Sequence, residues 1–171
     1  MATPSIEFSS LIYGSLVNSL LETEENVEEV NKKLYEIGCR IGVRLAHEFA
    51  RDRSLERIDT PTKVIKEIIV KNWPSVAGKG TNVSYSVLSD SDPKKYLLTF
   101  DQSIFTQNVT VPERYAGLRY TSMLPGVICG IFKIFHYEVS AQLKDSQQKP
   151  CTEVILEILK EIPIAVPKED N

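Results

Sequence analysis

A hydrolytic triad needs a nucleophile, a base and a carboxylate that orients the base, and this chain offers two histidines, His47 and His136, for the base. His47 lies beside an apolar stripe at helical spacing and His136 sits between Phe135 and Tyr137, so both read as structural or exposed. The tetrapeptide GKGT at 78–81 has part of a phosphate loop, but it lacks the upstream glycine of GxxxxGK[ST] and is not poised between a strand and a helix. It reads as a turn. Acidic residues crowd positions 22–29 without the alternating ligands of an EF-hand, and fit better as the negative start of a helix. Cys39, Cys129 and Cys151 are odd in number, widely spaced and without a CxxC pair, so neither a disulfide framework nor a zinc site is supported and no cofactor is expected. One spacing stands out: Gly38 and Gly42 lie one turn apart in a strongly periodic apolar segment, where each glycine costs about 1 kcal/mol relative to alanine. Two glycines so placed carve a smooth groove that admits either another of the chain's own helices or an inserted ligand chain.

Several elements must position these residues. Thr3 before Pro4 predicts a capped first helix carrying Phe8, Ile12, Leu16 and Leu20 and ending near Thr23. Asn26 with Glu29 three residues on has the spacing of a capping box. It opens a longer second helix marked by Val27, Val30, Leu34, Ile37, Ile41, Leu45 and Phe49. Thr60 and Pro61 start a third helix through Val64, Ile65, Ile68 and Ile69, expected to stop near Trp73 because Pro74 follows. Val83, Tyr85 and Val87, then Tyr96, Leu98 and Phe100, alternate with mostly polar residues across SDSDPKK and predict a hairpin. From Arg114 to Leu143 the spacing through Leu118, Leu124, Val127, Ile128, Ile131, Phe135 and Val139 predicts helix, with a kink or fresh start at Pro125. Val154, Leu156 and Ile158 alternate with Glu153 and Glu157 as a last strand, followed by a proline-bearing acidic tail over 161–171. The pattern is an α+β class, a single domain over 1–171 without repeat or linker.

Composition bounds the partners. The 20 basic and 23 acidic residues are scattered and leave a net charge of −3, with no basic block to neutralise phosphates, so nucleic acid is not an expected partner. At 42% apolar residues a substantial core can close. The segment MATPSIEFSS lacks the basic and apolar regions of a signal peptide, and no run approaches about 18 uninterrupted apolar residues. A soluble, cytosolic protein in a reducing compartment is expected, and the sequons at Asn82 and Asn108 are read as chance.

LIYGSLVNSL at 11–20, EVNKKLYEIGCRIGVRLAHEF at 29–49, YTSMLPGVICGIF at 120–132 and TEVILEILKEIPI at 152–164 resemble, in order and spacing, the core subunits of the transport protein particle (TRAPP), most of all the Bet-three type. The most specific pieces are Tyr13–Gly14, the GxxIGxRL of Gly38 to Leu45 and the aromatic-S/T block leading into the helix with Gly126. The resemblance implies a compact α+β fold whose first two helices form a side-by-side dimer face with a related subunit. Ile12, Leu16, Leu20, Leu34, Ile37 and Ile41 are compatible with that face. It also implies a non-catalytic place in a complex that promotes nucleotide exchange on a Rab GTPase and tethers vesicles between endoplasmic reticulum and Golgi, touching membrane only peripherally through the complex. In the family type the acidic tail reaches toward the GTPase nucleotide site, and Glu169 and Asp170 occupy the matching end here. The family's acylated cysteine is matched by Ile58, which cannot carry a thioester, and Cys39 stands where the family has an aromatic residue, as an inert buried thiol. The competing function on the same fold is a module that binds a hydrophobic small molecule or lipid.

Overall fold

The computed structural model describes residues 6–51, 58–78, 80–88, 94–101, 109–144 and 151–163. The cap at Thr3 and Pro4 and the acidic end at Glu169 and Asp170 lie outside these residues, as does most of the SDSDPKK turn.

Helix α1 runs Ile6–Thr23 and helix α2 Val27–Arg51. Between them the Asn26 side chain accepts from the Glu29 backbone N–H at 2.9 Å, closing the first turn of α2. The third helical segment starts at Thr60, whose hydroxyl accepts from Lys63 N, with Pro61 at the first helical position. It continues as α3 (Pro61–Lys63), a π-helical stretch Val64–Val70 and α4 (Lys71–Ala77). The expected stop at Trp73 is therefore overturned, and Pro74 lies inside α4. Proline is excluded from a regular helix by its ring and missing N–H. Here the preceding turn is wide, with Lys71 N–H bonded five residues back to Lys66 O, and the Asn72 side chain donates to the carbonyls of Glu67 and Ile68 at 2.8 and 2.9 Å. The π stretch brings Val64, Ile65, Ile68 and Ile69 onto one buried face.

Strands β1 (Asn82–Val87) and β2 (Lys95–Asp101) form the expected antiparallel hairpin. After a 3-10 turn at Glu113–Tyr115 comes α5 (Met123–Ile134), a fresh start with Pro125 in its first turn, where no intrahelical N–H is needed. The expectation of helix through Leu143 is corrected. Phe135 ends α5, His136 takes a left-handed backbone conformation at φ 61°, and Tyr137–Lys144 is strand β3. Strand β4 (Thr152–Glu161) pairs with both β2 and β3, so the sheet order is β1-β2-β4-β3, antiparallel throughout. Glu153, an alternating polar residue in the sequence, is buried in the fold and ion-paired to Lys144 at 3.2 Å.

One core joins helices and sheet. Leu98, Phe100, Val154 and Leu156 of the sheet are fully covered, as are Leu34 of α2, Leu124 of α5 and Ile65 of the π stretch. Each such side chain contributes roughly 1.5–3 kcal/mol when buried. Trp73 meets Phe100 edge-on at 4.8 Å and Phe132 meets Tyr137 at 6.1 Å, fixing α4 and α5 over the sheet.

Candidate interaction surface

The glycines explain how α2 reaches the core. A Cβ on Gly38 would overlap the carbonyl of Met123, and one on Gly42 that of Val127. The relation is reciprocal: a Cβ on Gly126 would overlap the carbonyl of Tyr35, and one on Gly130 that of Cys39. Helices α2 and α5 thus cross backbone to backbone, and the groove that Gly38 and Gly42 open is filled by the chain's own α5. The second half of this crossing was open to view in the sequence as GVICG, glycines four apart at 126 and 130.

Helix α1 is fixed by its Tyr13–Gly14 pair. Tyr13 and Val17 point inward; the Tyr13 ring meets Tyr120 edge-on at 5.0 Å and its hydroxyl donates to the Tyr120 carbonyl. A Cβ on Gly14 would lie 3.3 Å from the Tyr120 hydroxyl, so glycine gives that ring its seat. Burial pushes the Tyr13 hydroxyl well above the ordinary tyrosine pKa, keeping it a neutral donor.

The opposite side of α1 faces out. Leu11 is 73% exposed and Ile12 56%, with Phe8 also exposed. Leu16 and Leu20 are half-buried and pack against the core, as are Ile37 and Ile41 on α2. Leu34 is 0% exposed and cannot meet a partner; its place in the expected dimer face is corrected to the interior, because the α2 stripe containing Val30, Leu34 and Gly38 is the one turned toward α5. Ile12 was legible as part of an apolar stripe, whereas Leu11 falls off that period and was missed.

Catalytic and metal chemistry find little here. His47, on α2, and His136, in the turn between α5 and β3, are both exposed, and among the described residues no group of three or more histidine, cysteine or carboxylate side chains could hold a metal ion. Gly78, Gly80 and Thr81 lie between α4 and β1, with Thr81 Oγ1 donating to Gly78 O at 2.8 Å, the reverse of the strand-to-helix order of a phosphate loop. Within the acidic stretch 22–29, Glu24 pairs with Lys33. Cys39, expected as a buried thiol, is half-buried like Cys129 and Cys151; burial pushes the Cys39 and Cys129 thiols up and keeps them protonated. Ile58 is half-buried and packs against the core. A cleft of about 800 Å³ lies between the start of α2, the segment before α5 and β3, bordered by Glu28, Lys32, Tyr35 and Arg119. Among the described residues no helix is long and apolar enough to cross a membrane.

An α+β domain that keeps an apolar helix face turned outward is of the class built into assemblies. The chain belongs to the transport protein particle (TRAPP) component family, whose model matches residues 9–158. It is 30% identical over 145 residues to a trafficking protein particle complex subunit 3 homolog from Caenorhabditis briggsae, covering 83% of this chain and 78% of that one. It is 28% identical over 169 residues to the trafficking protein particle complex subunit BET3 of Saccharomyces cerevisiae, covering 92% and 84%. Among solved structures, a trafficking protein particle complex subunit 3 from Naegleria fowleri, covalently bound to palmitic acid, superposes with a TM-score of 0.75 at 23% identity over 93% of this chain and 98% of that one. That likeness establishes the fold. The chain is a TRAPP component of the Bet-three type.

Proposed function

We propose that this chain works as a non-catalytic core subunit, pairing with a related TRAPP subunit through the outer face of α1 and the neighbouring side of α2. The complex so formed supports nucleotide exchange on a Rab GTPase and vesicle tethering between endoplasmic reticulum and Golgi, from the cytoplasmic side. The observation that carries the pairing is the outward apolar face at Leu11 and Ile12, continued by the half-buried Leu16. Leaving such side chains in water forfeits roughly 1.5–3 kcal/mol each, and a helix face that does so in a folded domain is suited to a partner. Half-buried Leu20, Ile37 and Ile41 extend the face. The chain acts as one domain, and its acidic end, with Glu169 and Asp170, serves as the arm toward the GTPase.

Ile12→Glu tests the pairing, because Ile12 is exposed and the charge is tolerated in the free subunit yet left unpaired in a desolvated interface. With the tagged chain expressed in its native source, the variant should melt like the parent and lose co-purifying TRAPP subunits. Unchanged recovery of those subunits would remove α1 from the interface.

A second function, the binding of a hydrophobic ligand, draws on the palmitic acid held by the Naegleria fowleri relative. Ile58 gives this chain no sulfur at the corresponding place, so a ligand here would be held without a covalent bond. Native mass spectrometry separates the two: a heteromeric complex supports the subunit, a monomer retaining a small apolar mass supports the module.

A further inference from the structure

Among the described residues one hydroxyl side chain directly precedes a proline, Thr60 before Pro61, and Lys63 stands three places beyond it. Thr60, Thr62 and Lys63 are exposed, and Thr60 holds an extended backbone at φ −135° and ψ 148°. Pro61 imposes that geometry, because its ring clashes with a helical backbone at the residue before it. Extended backbone is how a protein kinase grips the residue it phosphorylates. A kinase pocket for the following residue that offers no partner to a backbone N–H selects proline, which has none. An acidic wall at the third residue selects a cation there. Thr60 to Lys63 meets all three requirements.

The hydroxyl is lightly held. Thr60 Oγ1 accepts from Lys63 N at 3.4 Å, long for a hydrogen bond, and α3 is a single turn. Opening that turn brings Lys63 into line beyond Thr60. It breaks the bond from Val64 N to Thr60 O at 3.1 Å and the one between the Thr62 and Tyr96 hydroxyls at 3.2 Å, a local opening that leaves the core intact. The surroundings then suit an anion. Lys63 carries its ammonium 2.8 Å from Asp59 Oδ1, and Lys94, Lys160 and Pro61 border one cavity of about 320 Å³, with Glu161 as its carboxylate.

We propose that Thr60 is a phosphorylation site for a proline-directed protein kinase, and that its phosphate recloses the first turn of α3 as a charged cap. Thr60 Oγ1 attacks the γ-phosphorus of ATP; the new O–P bond forms as the bond to the ADP oxygen breaks, and the hydroxyl proton passes to the kinase's catalytic carboxylate. The phosphate brings about −1.5 to −2 charges to the start of the continuous helical run Pro61–Ala77. The backbone N–H groups of Thr62 and Lys63 and the Lys63 ammonium receive it, while Asp59, which shares that ammonium, opposes it.

The test treats the full chain with magnesium, ATP and a cyclin-dependent kinase bound to its cyclin. The intact mass should gain one phosphoryl group, and fragmentation should place it on Thr60. Thr3 also precedes a proline but has Ile6 at the third place, so it should react roughly tenfold more slowly or worse. Thr60→Ser should be modified like the parent, Thr60→Ala not at all in this segment, and Pro61→Ala roughly tenfold more slowly. The phosphorylated chain should melt roughly 1–4 °C above the unmodified one at low salt, and high salt should shrink the gain. An unmodified segment after exhaustive treatment, phosphate on Thr62 in place of Thr60, or a rate no faster than at Thr3 would overturn the site. A Tm lowered by the phosphate would overturn its role as a cap. Both readings are made on the parent chain, so neither depends on a variant that folds.

Discussion

Gly42 shows how much a single missing methyl group decides in this molecule. Its neighbour across the helix crossing is backbone, the Val127 carbonyl, with Ile131 N 3.0 Å from where a Cβ would lie, and backbone cannot turn aside as a side chain can. Gly42→Leu should therefore force α2 and α5 apart, costing roughly 1–3 kcal/mol or more, with a visibly lower Tm by calorimetry. An unchanged Tm would mean that the crossing yields without cost. Spacing alone marked Gly38 and Gly42 as unusual, since two glycines in a good helix need a compensating contact. What entered the groove was not legible, because periodicity shows that a face is apolar without showing what covers it. The same limit explains Leu34, which shares a stripe with Ile37 and Ile41 in sequence but is wholly interior.

At the scale of elements, the boundary between α5 and β3 carries the main difference between sequence and structure. Ile131, Phe135 and Val139 recur every four residues and extend a helical pattern, yet Tyr137, Val139, Ala141 and Leu143 also alternate with Glu138, Ser140, Gln142 and Lys144. Val139 fits both periods, and the choice falls to His136, whose left-handed backbone ends α5 and turns the chain into the sheet. Histidine is among the few non-glycine residues enriched in that conformation, but it adopts it too seldom for the sequence to place the turn. The hydrogen bond from Ile162 N to His136 O, at 2.7 Å, ties the turn to the end of β4. His136→Gly should relieve the left-handed strain and stabilise the fold by roughly 0.5–1 kcal/mol, whereas His136→Val should destabilise it by at least as much. Paired urea melts of the two variants check the sign, and a valine variant as stable as the parent would refute the account. The caps at Asn26 and Thr60 were readable because they depend on local side-chain chemistry, and the continuation past Pro74 was not, because it depends on a widened turn and on Asn72.

For the whole molecule, the decisive contrast lies between a well-filled interior and an outer α1 face that keeps Leu11 and Ile12 in water. That contrast favours an assembly subunit over a free-standing catalyst, and it leaves the role of the interior to be tested at Ile58. Under the proposed matching of Ile58 to the family's acylated cysteine, that place is taken by an isoleucine that already packs on the core, and a hydrocarbon side chain has no atom able to form a thioester. Burial holds the Cys39 and Cys129 thiols protonated, and a protonated thiol is a poor acyl acceptor. The chain purified from its native source should therefore carry no covalent fatty acid, and its intact mass should be the same before and after hydroxylamine. A mass increment of acyl size, lost on hydroxylamine treatment and mapped to any cysteine, would overturn this expectation. Ile58→Cys makes the converse measurement: an acyl increment on that variant would show an apolar channel that lacks only the sulfur, while its absence would mean that core side chains such as those of the π stretch have taken the space.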